Sequence, residues 1–356
     1  MMITFLKNIL VVLSARNLRL TFLISFILLV QKPAINAQGI HFSQFYAAPL
    51  LTNPANTGLS SENIRIANIY RNQWTRIGIP FQTFGTSADK KLIILNQTFG
   101  IGGFVLHDQS SSFNLSANEF MISLSYSKII HNQQFTFGLQ SGMVYKSYDL
   151  TNMTFNSQFS PSGMLFDASL PSLENGLDDR LNYFDLNAGI SWHALIHNMM
   201  SSAGISISHV NMPEEKFSTS SYGIRLPIKV NFNSGVIVPV NSRIYLEPVL
   251  FYSYTPGSHE FLLGSLGDYS LDRSNIPVQK VFAVTMFRLN PVRDIDAIIL
   301  GGGAEFLNFS LGLTYDFNIS PLHKATNFNG AFEISFIYKG KNEARKISNQ
   351  PCYIMN

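Results

Sequence analysis

The chain has 356 residues, a net charge of +3, 46% hydrophobic but only 13% charged residues, and 29 Phe with 14 Tyr. Disordered chains are charge-rich and poor in aromatics, so disorder is excluded. A helical membrane protein is excluded as well, because mean hydropathy is only +0.12 and no apolar run of ~18 residues follows residue 31. Few charges, many aromatics and average hydropathy together fit a membrane β-barrel, whose lipid-facing and lumen-facing residues alternate.

Residues 1–37 read as a signal peptide. Lys7, Arg16 and Arg19 form a positive start, Leu20–Val30 an apolar core, and Ala37 the small residue before a cut. Residues 38–63 neither alternate nor run apolar. They hold the turn formers Pro49, Asn53, Pro54, Asn56 and Gly58 beside Phe42, Phe45 and Tyr46. This segment is a candidate lumenal plug, a piece docked at the periplasmic mouth, or a linker.

From residue 64 to 338 the dominant period is two, as a pleated strand requires. Phe120, Ile122, Leu124 and Tyr126 alternate with small or polar residues, and so do Phe184 to Trp192 and Leu307 to Phe317. The alternation predicts an all-β transmembrane barrel of about fourteen antiparallel strands. They are placed at 64–74, 81–91, 98–108, 119–130, 134–148, 182–193, 201–210, 222–233, 243–254, 259–268, 279–289, 295–303, 306–317 and 328–338. Such strands match the roughly 9–11 residues of a tilted membrane crossing better than the soluble mode of about 5–6. Alternation is poorest between 243 and 303. Long connections at 109–118, 149–181, 211–221 and 318–327 are odd-numbered, and short ones at 131–133, 241–242 and 304–305 even-numbered, with 269–278 against the rule. Long loops therefore face outward and short turns the periplasm. A basic tail, 339–356, follows the last strand and is expected in the periplasm.

Catalytic signals are thin. His193 and His197 have a helical metal spacing, but one ends a strand and the other lies in a turn. Gly301-Gly302-Gly303 lacks the lysine of a phosphate loop, and Glu305 follows it. A barrel hydrolase would need a serine near His107, His193 or His209. The lone Cys352 permits no internal disulfide. No basic cluster suggests nucleic acid. No enzyme, metal or cofactor is expected.

More specific are the words of the sequence. His41-Phe42-Ser43-Gln44-Phe45-Tyr46 leads through Pro49, Asn53 and Pro54 to Gly58. Tyr70-Arg71-Asn72-Gln73-Trp74, Pro80-Phe-Gln82 and Ser87-Ala-Asp89 follow, then Leu313-Thr-Tyr-Asp-Phe317 and Gly330-Ala-Phe-Glu-Ile-Ser-Phe336, with a cysteine near the end. In these motifs and their order the mature chain resembles the PorP/SprF family of type IX secretion system membrane proteins of Bacteroidetes. It departs from the family pattern in Phe332-Glu-Ile and in the closing Gln350-Pro-Cys-Tyr-Ile-Met-Asn.

The resemblance implies a non-enzymatic outer-membrane barrel working with the type IX secretion and gliding machinery. Its implied partners are a dedicated adhesin-like cargo with a C-terminal sorting domain, the secretion core components, and an OmpA-like peptidoglycan-binding lipoprotein. The 149–181 loop is the expected outer docking surface. It exposes Phe155, Phe159, Met164, Leu165 and Phe166 where a solvated loop would be polar. Within the Tyr70–Trp74 motif, Trp74 is expected at the membrane interface and Arg71 in the lumen. Arg65, Lys146, Arg225 and Lys229 are further lumenal charges by alternation. The alternative is a diffusion channel for small solutes, which an occupied lumen would oppose.

Overall fold

The structure is a computed structural model. It describes residues 40–76, 80–110, 115–148, 155–161, 163–167, 169–171, 179–216, 223–271, 278–290, 294–321 and 323–340. The expected signal peptide and all but the first two residues of the expected tail lie outside them. The described residues within 40–255 and 259–340 make up one compact unit, to which the plug and the wall contacts below belong.

Fourteen antiparallel strands close into a barrel. They are β1 (Ile64–Gln73), β2 (Phe81–Ile94), β3 (Gln97–Ser110), β4 (Leu115–Ile130), β5 (Gln133–Ser147), β6 (Arg180–Ile196), β7 (Met199–Ser208), β8 (Lys229–Pro239), β9 (Ile244–Thr255), β10 (Ser258–Ser270), β11 (Val278–Asn290), β12 (Asp294–Phe306), β13 (Phe309–Asn318) and β14 (Asn329–Gly340). Each pairs with its neighbours in sequence, and β1 pairs with β14 to close the ring, with Arg71 directly opposite Glu333. Closure leaves no free sheet edge.

The faces follow the alternation. On β4, Ser123, Ser125 and Ser127 are buried toward the lumen while Phe120, Ile122 and Leu124 are exposed outside. On β6, Asp185, Asn187, Ser191 and His193 point in, and Phe184 and Ile190 point out. An apolar outer belt over a polar lumen is what a bilayer demands.

One strand is displaced. The eighth was expected at 222–233, but β8 begins at Lys229 and runs to Pro239. Ile224–Arg225 pairs instead with Glu214–Glu215 in a small flap on the 209–228 connection. Pro227 lies between the two pairings, and a residue without an N–H is suited to that break. The flap also removes Arg225 from the expected lumenal charges, since it is exposed there.

Alternation fails along β9–β12 for a physical reason: both faces are apolar. Val249, Phe251, Leu262, Leu266, Val284, Met286 and Ile299 point inward and form a buried cluster with Phe45, while Leu246, Leu263, Phe287 and Leu300 are exposed outside.

The short turns share a chemistry. Leu95-Asn96, His131-Asn132 and His197-Asn198 are two-residue hairpins with positive φ at both positions. This is the type I′ geometry, which suits the strand twist and favours Asn. The ninth connection, Pro256–Gly257, is equally short, so the long-and-short rhythm is not strict among the odd-numbered connections.

Candidate functional site: a plugged lumen and an outer loop

The segment before β1 lies inside the barrel. It folds as a 3₁₀ turn (Phe45–Ala47), a short helix α1 (Pro49–Thr52) and a second 3₁₀ turn (Pro54–Asn56). Phe42, Phe45, Leu50, Ala55 and Leu59 are buried. Each large side chain so placed contributes roughly 1.5–3 kcal/mol relative to exposure.

At the long-loop end, a ring of wall charges grips the start of the plug. The backbone N–H groups of Ser43 and Gln44 donate to the two oxygens of Glu333, at 2.7 and 2.8 Å. Ser43 Oγ donates to Asp316 at 2.8 Å and accepts from Arg71 at 3.0 Å. Gln44 donates to Thr314 at 3.2 Å and accepts from Ser335 at 2.7 Å. The wall charges are paired among themselves. Arg71 pairs with Glu333 and with Asp316, and Arg288 with Asp316 and with Glu260, at 2.9 and 3.1 Å. His41 stands 3.9 Å from Glu260. Every member of the Arg71, Asp316, Glu333 and Arg288 set is buried, and the mutual pairing makes that burial tolerable.

At the short-turn end, the plug rests on glycines. Asn53 donates to the carbonyls of Ile190 and Ile205 at 3.1 and 3.3 Å, and its own oxygen caps the second 3₁₀ turn by accepting from Ala55 N–H. A Cβ on Gly138 would collide with the backbone of Pro54 and Ala55, one on Gly189 with the Asn53 side chain, and one on Gly100 with the backbone of Thr57. Gly58 leaves the plug at φ +71°, a conformation that suits glycine, and its N–H donates to Asp89 at 2.7 Å. Asp89 in turn pairs with Arg65 at 2.9 Å.

The other motif residues divide between plug and wall. Pro49 opens α1, where a missing N–H costs nothing. The Tyr46 hydroxyl is buried without a hydrogen-bond partner. Burial, and then the charges of Glu333, Glu247 and Asp268, hold its pKa well above the ordinary value. Tyr70 and Asn72 lie on the outer face of β1, while Gln73 accepts from Arg71 at 3.3 Å. Trp74 follows β1 at φ 58°, donates its backbone N–H to Gly330 and sets its ring edge-on to Phe81 at 5.2 Å.

At the long-loop end, Phe159–Ser160 pairs with Leu165–Phe166, and the rings of Phe159 and Phe166 meet at 5.3 Å. Phe155 is half-buried, and Met164 is 87% exposed at the tip. The flap on the β7–β8 connection adds Ile224, 75% exposed. Glu215 ties the flap to the wall by pairing with Lys146, whose ammonium lies over the Tyr183 ring at 5.7 Å.

No catalytic arrangement stands out among the described residues. His107 bonds Asn118 and His209 bonds Asp185, and neither meets a serine hydroxyl. Gly301–Gly303 lies within β12, paired on both sides. Among the described residues, no group of three His, Cys, Asp or Glu is placed to hold a metal ion.

The family model of the type IX secretion system membrane protein PorP/SprF matches residues 34–338. The chain belongs to this PorP/SprF family. The match takes in the whole plug and all of the wall up to Tyr338. No curated protein matches the chain. Among solved structures, a TodX monoaromatic hydrocarbon channel mutant is similar at TM-score 0.50 and 13% identity, covering 83% of this chain and 94% of its own. CymD, a monoaromatic hydrocarbon channel, is similar at 0.49 and 11%, covering 86% and 95%. The Pseudomonas putida toluene transporter TodX is similar at 0.43 and 11%, covering 83% and 95%. At such identities the TodX mutant speaks for the fold alone.

Sequence reading named both ends of the plug but missed what holds them. Asp316 and Glu333 fell within quoted motifs without a role. Carboxylates on inward positions of charge-poor strands were the available signal. The inward glycines of β3, β5 and β6 gave no signal by themselves, because their partner lies far away in sequence.

Proposed function

We propose that this PorP/SprF barrel is a plugged outer-membrane scaffold of the type IX secretion and gliding machinery. It delivers or anchors one dedicated surface protein, an adhesin-like cargo with a C-terminal sorting domain. The observation that carries this reading is the occupied lumen. The space left between plug and wall beside Phe42, Leu51 and Leu106 is ≈ 20 Å³, room for little more than one water. With its lumen filled, a barrel acts through its rims.

The outer rim supplies the docking surface in this reading. Phe159, Met164, Leu165 and Phe166, with half-buried Phe155 in the same loop and Ile224 on the flap, present apolar area to the outside. The opposite rim and the tail face the secretion core and an OmpA-like peptidoglycan-binding lipoprotein.

The test is deletion of the protein in its host, followed by proteomics of surface and medium, with a second strain lacking only residues 156–170. Loss of one or two large sorting-domain proteins from the surface, in both strains, supports the reading. An unchanged surface proteome sinks it and leaves the diffusion channel, which steady large conductance in planar bilayers would reveal.

A further inference from the structure

Half of the Tyr70–Trp74 motif takes no part in holding the plug. Arg71 and Gln73 belong to the inner face of β1, whereas Tyr70 and Asn72 lie on its outer face with Asn68. β2 continues that outer face across the ladder. Gln82 stands opposite Asn72, Phe84 opposite Tyr70 and Thr86 opposite Asn68. Two neighbouring strands thus turn three amides and a hydroxyl outward, around Tyr70 and Phe84.

The surroundings of this patch are apolar. On the other side of β1, the cross-strand partners of Asn72 and Asn68 are Phe332 and Phe336 of β14, both exposed. β4 carries Phe120, Ile122 and Leu124 on its outer face. The patch therefore interrupts the belt where lipid demands hydrocarbon. An amide in lipid has no water to bond, so a neighbour must satisfy it. Thr86 donates to Asn68 at 2.9 Å. Gln82 is exposed, and the Asn72 side-chain oxygen has no hydrogen-bond partner. A half-turn of that amide brings the oxygen to the surface. The patch itself holds no charge; Lys90 lies two outward positions beyond Thr86, toward the short-turn end.

Barrels inserted in one membrane share one orientation. A two-fold axis between two of them runs along the membrane normal, so each residue meets its counterpart region at the same depth. Charged groups would repel there. An amide is both donor and acceptor and so complements its own copy, and the two-fold pair is the commonest closed assembly. We propose that the outer face of β1 and β2 is the interface of a homodimer within the membrane, with Asn72 and Gln82 bonding across the axis and Tyr70 and Phe84 packing around them. The inner face of β1 is bolted through Arg71 to Asp316 and Glu333, which holds the outer face in one register.

The experiment uses the full-length chain in its own outer membrane, with Cys352→Ser as background. Asn68, Asn72, Gln82 and Thr86 are changed to cysteine one at a time, and membranes are oxidised. A disulfide-linked product of twice the chain's mass is expected from at least one position, and none from Leu124→Cys on β4. The purified parent in mild detergent is expected to weigh two copies by light scattering, and the Asn72→Leu/Gln82→Leu variant one. Retained heat-modifiable mobility on gels confirms that this variant folds, and the cysteine series decides if it does not. The proposal falls if no position cross-links, if Leu124→Cys cross-links equally, or if the folded leucine variant stays a pair. It falls also if the product has another mass, because the face then docks a different protein.

Discussion

The carboxylate of Glu333 accepts the backbone N–H of Ser43 at 2.7 Å, across 290 positions of sequence. Glu333 is also the cross-strand partner of Arg71 at the seam where the first and last strands meet. The plug is therefore fastened to the seam itself.

Removing that carboxylate should loosen the plug and weaken the wall together. Breaking a buried pair leaves the partner charge uncompensated, at a cost of roughly 3–5 kcal/mol. Glu333→Ala is expected to unfold at a clearly lower temperature in heat-modifiability gels and to open the 40–60 segment to protease. Glu333→Gln, which retains one acceptor oxygen, should fall between it and the parent. A variant as stable and as protease-resistant as the parent would refute the fastening role.

The glycine floor offers a cleaner separation of plug from wall. A Cβ on Gly138 has no room beside Pro54 and Ala55, yet β-branched residues suit a strand. Gly138→Val should keep the barrel and displace the turn at 53–56. Planar-bilayer recording is expected to show conductance in this variant and none in the parent. A silent, heat-modifiable variant would mean that the turn can shift without leaving the lumen.

Orientation is testable by labelling. With Cys352→Ser as background, Met164→Cys should react with a membrane-impermeant maleimide on intact cells. Leu95→Cys, in a two-residue turn at the other rim and 92% exposed, should react only after the outer membrane is opened. The reverse pattern would invert the barrel and remove the proposed docking face.

The asparagines of the hairpins should be worth more than their exposure suggests. Asn132 and Asn198 sit at φ 61° and 68°, where an ordinary residue is strained by roughly 1–2 kcal/mol. Asn132→Ala should therefore destabilise by about that amount in urea unfolding into lipid, and Asn132→Gly by little. Equal effects would assign the cost to a lost side-chain contact instead.

Tyr46→Phe removes a buried hydroxyl that has no partner. Deleting an unsatisfied group avoids its desolvation penalty, so this variant should melt no lower than the parent. A marked loss of stability would reveal a hydrogen bond made through an ordered water.

The wall was legible in the sequence because a bilayer imposes one rule on every strand. Phe120 to Tyr126 and Phe184 to Trp192 obey it, and the family words pointed to the same fold. The rule says nothing about where pairing stops. Ile224 and Val230 share a parity, so the pattern ran on through Pro227 although the chain changes partners there. Nor does it survive where Phe45 needs an apolar wall, which is why β9–β12 read poorly. The plug's fastenings were hidden because Ser43 and Glu333, or Asn53 and Gly189, become neighbours only once the ring is closed.

That closure has a consequence for the order of events during assembly. Arg71 arrives with the first strand and Glu333 with the last, and Ser43 bridges them from within. Until the final hairpin is in place, the plug segment has only part of its seat. The long span between these contacts makes their meeting a slow step. Once met, they act as a bolt thrown across the seam from inside, so this junction is the part of the wall least suited to serve as a sideways exit into the membrane.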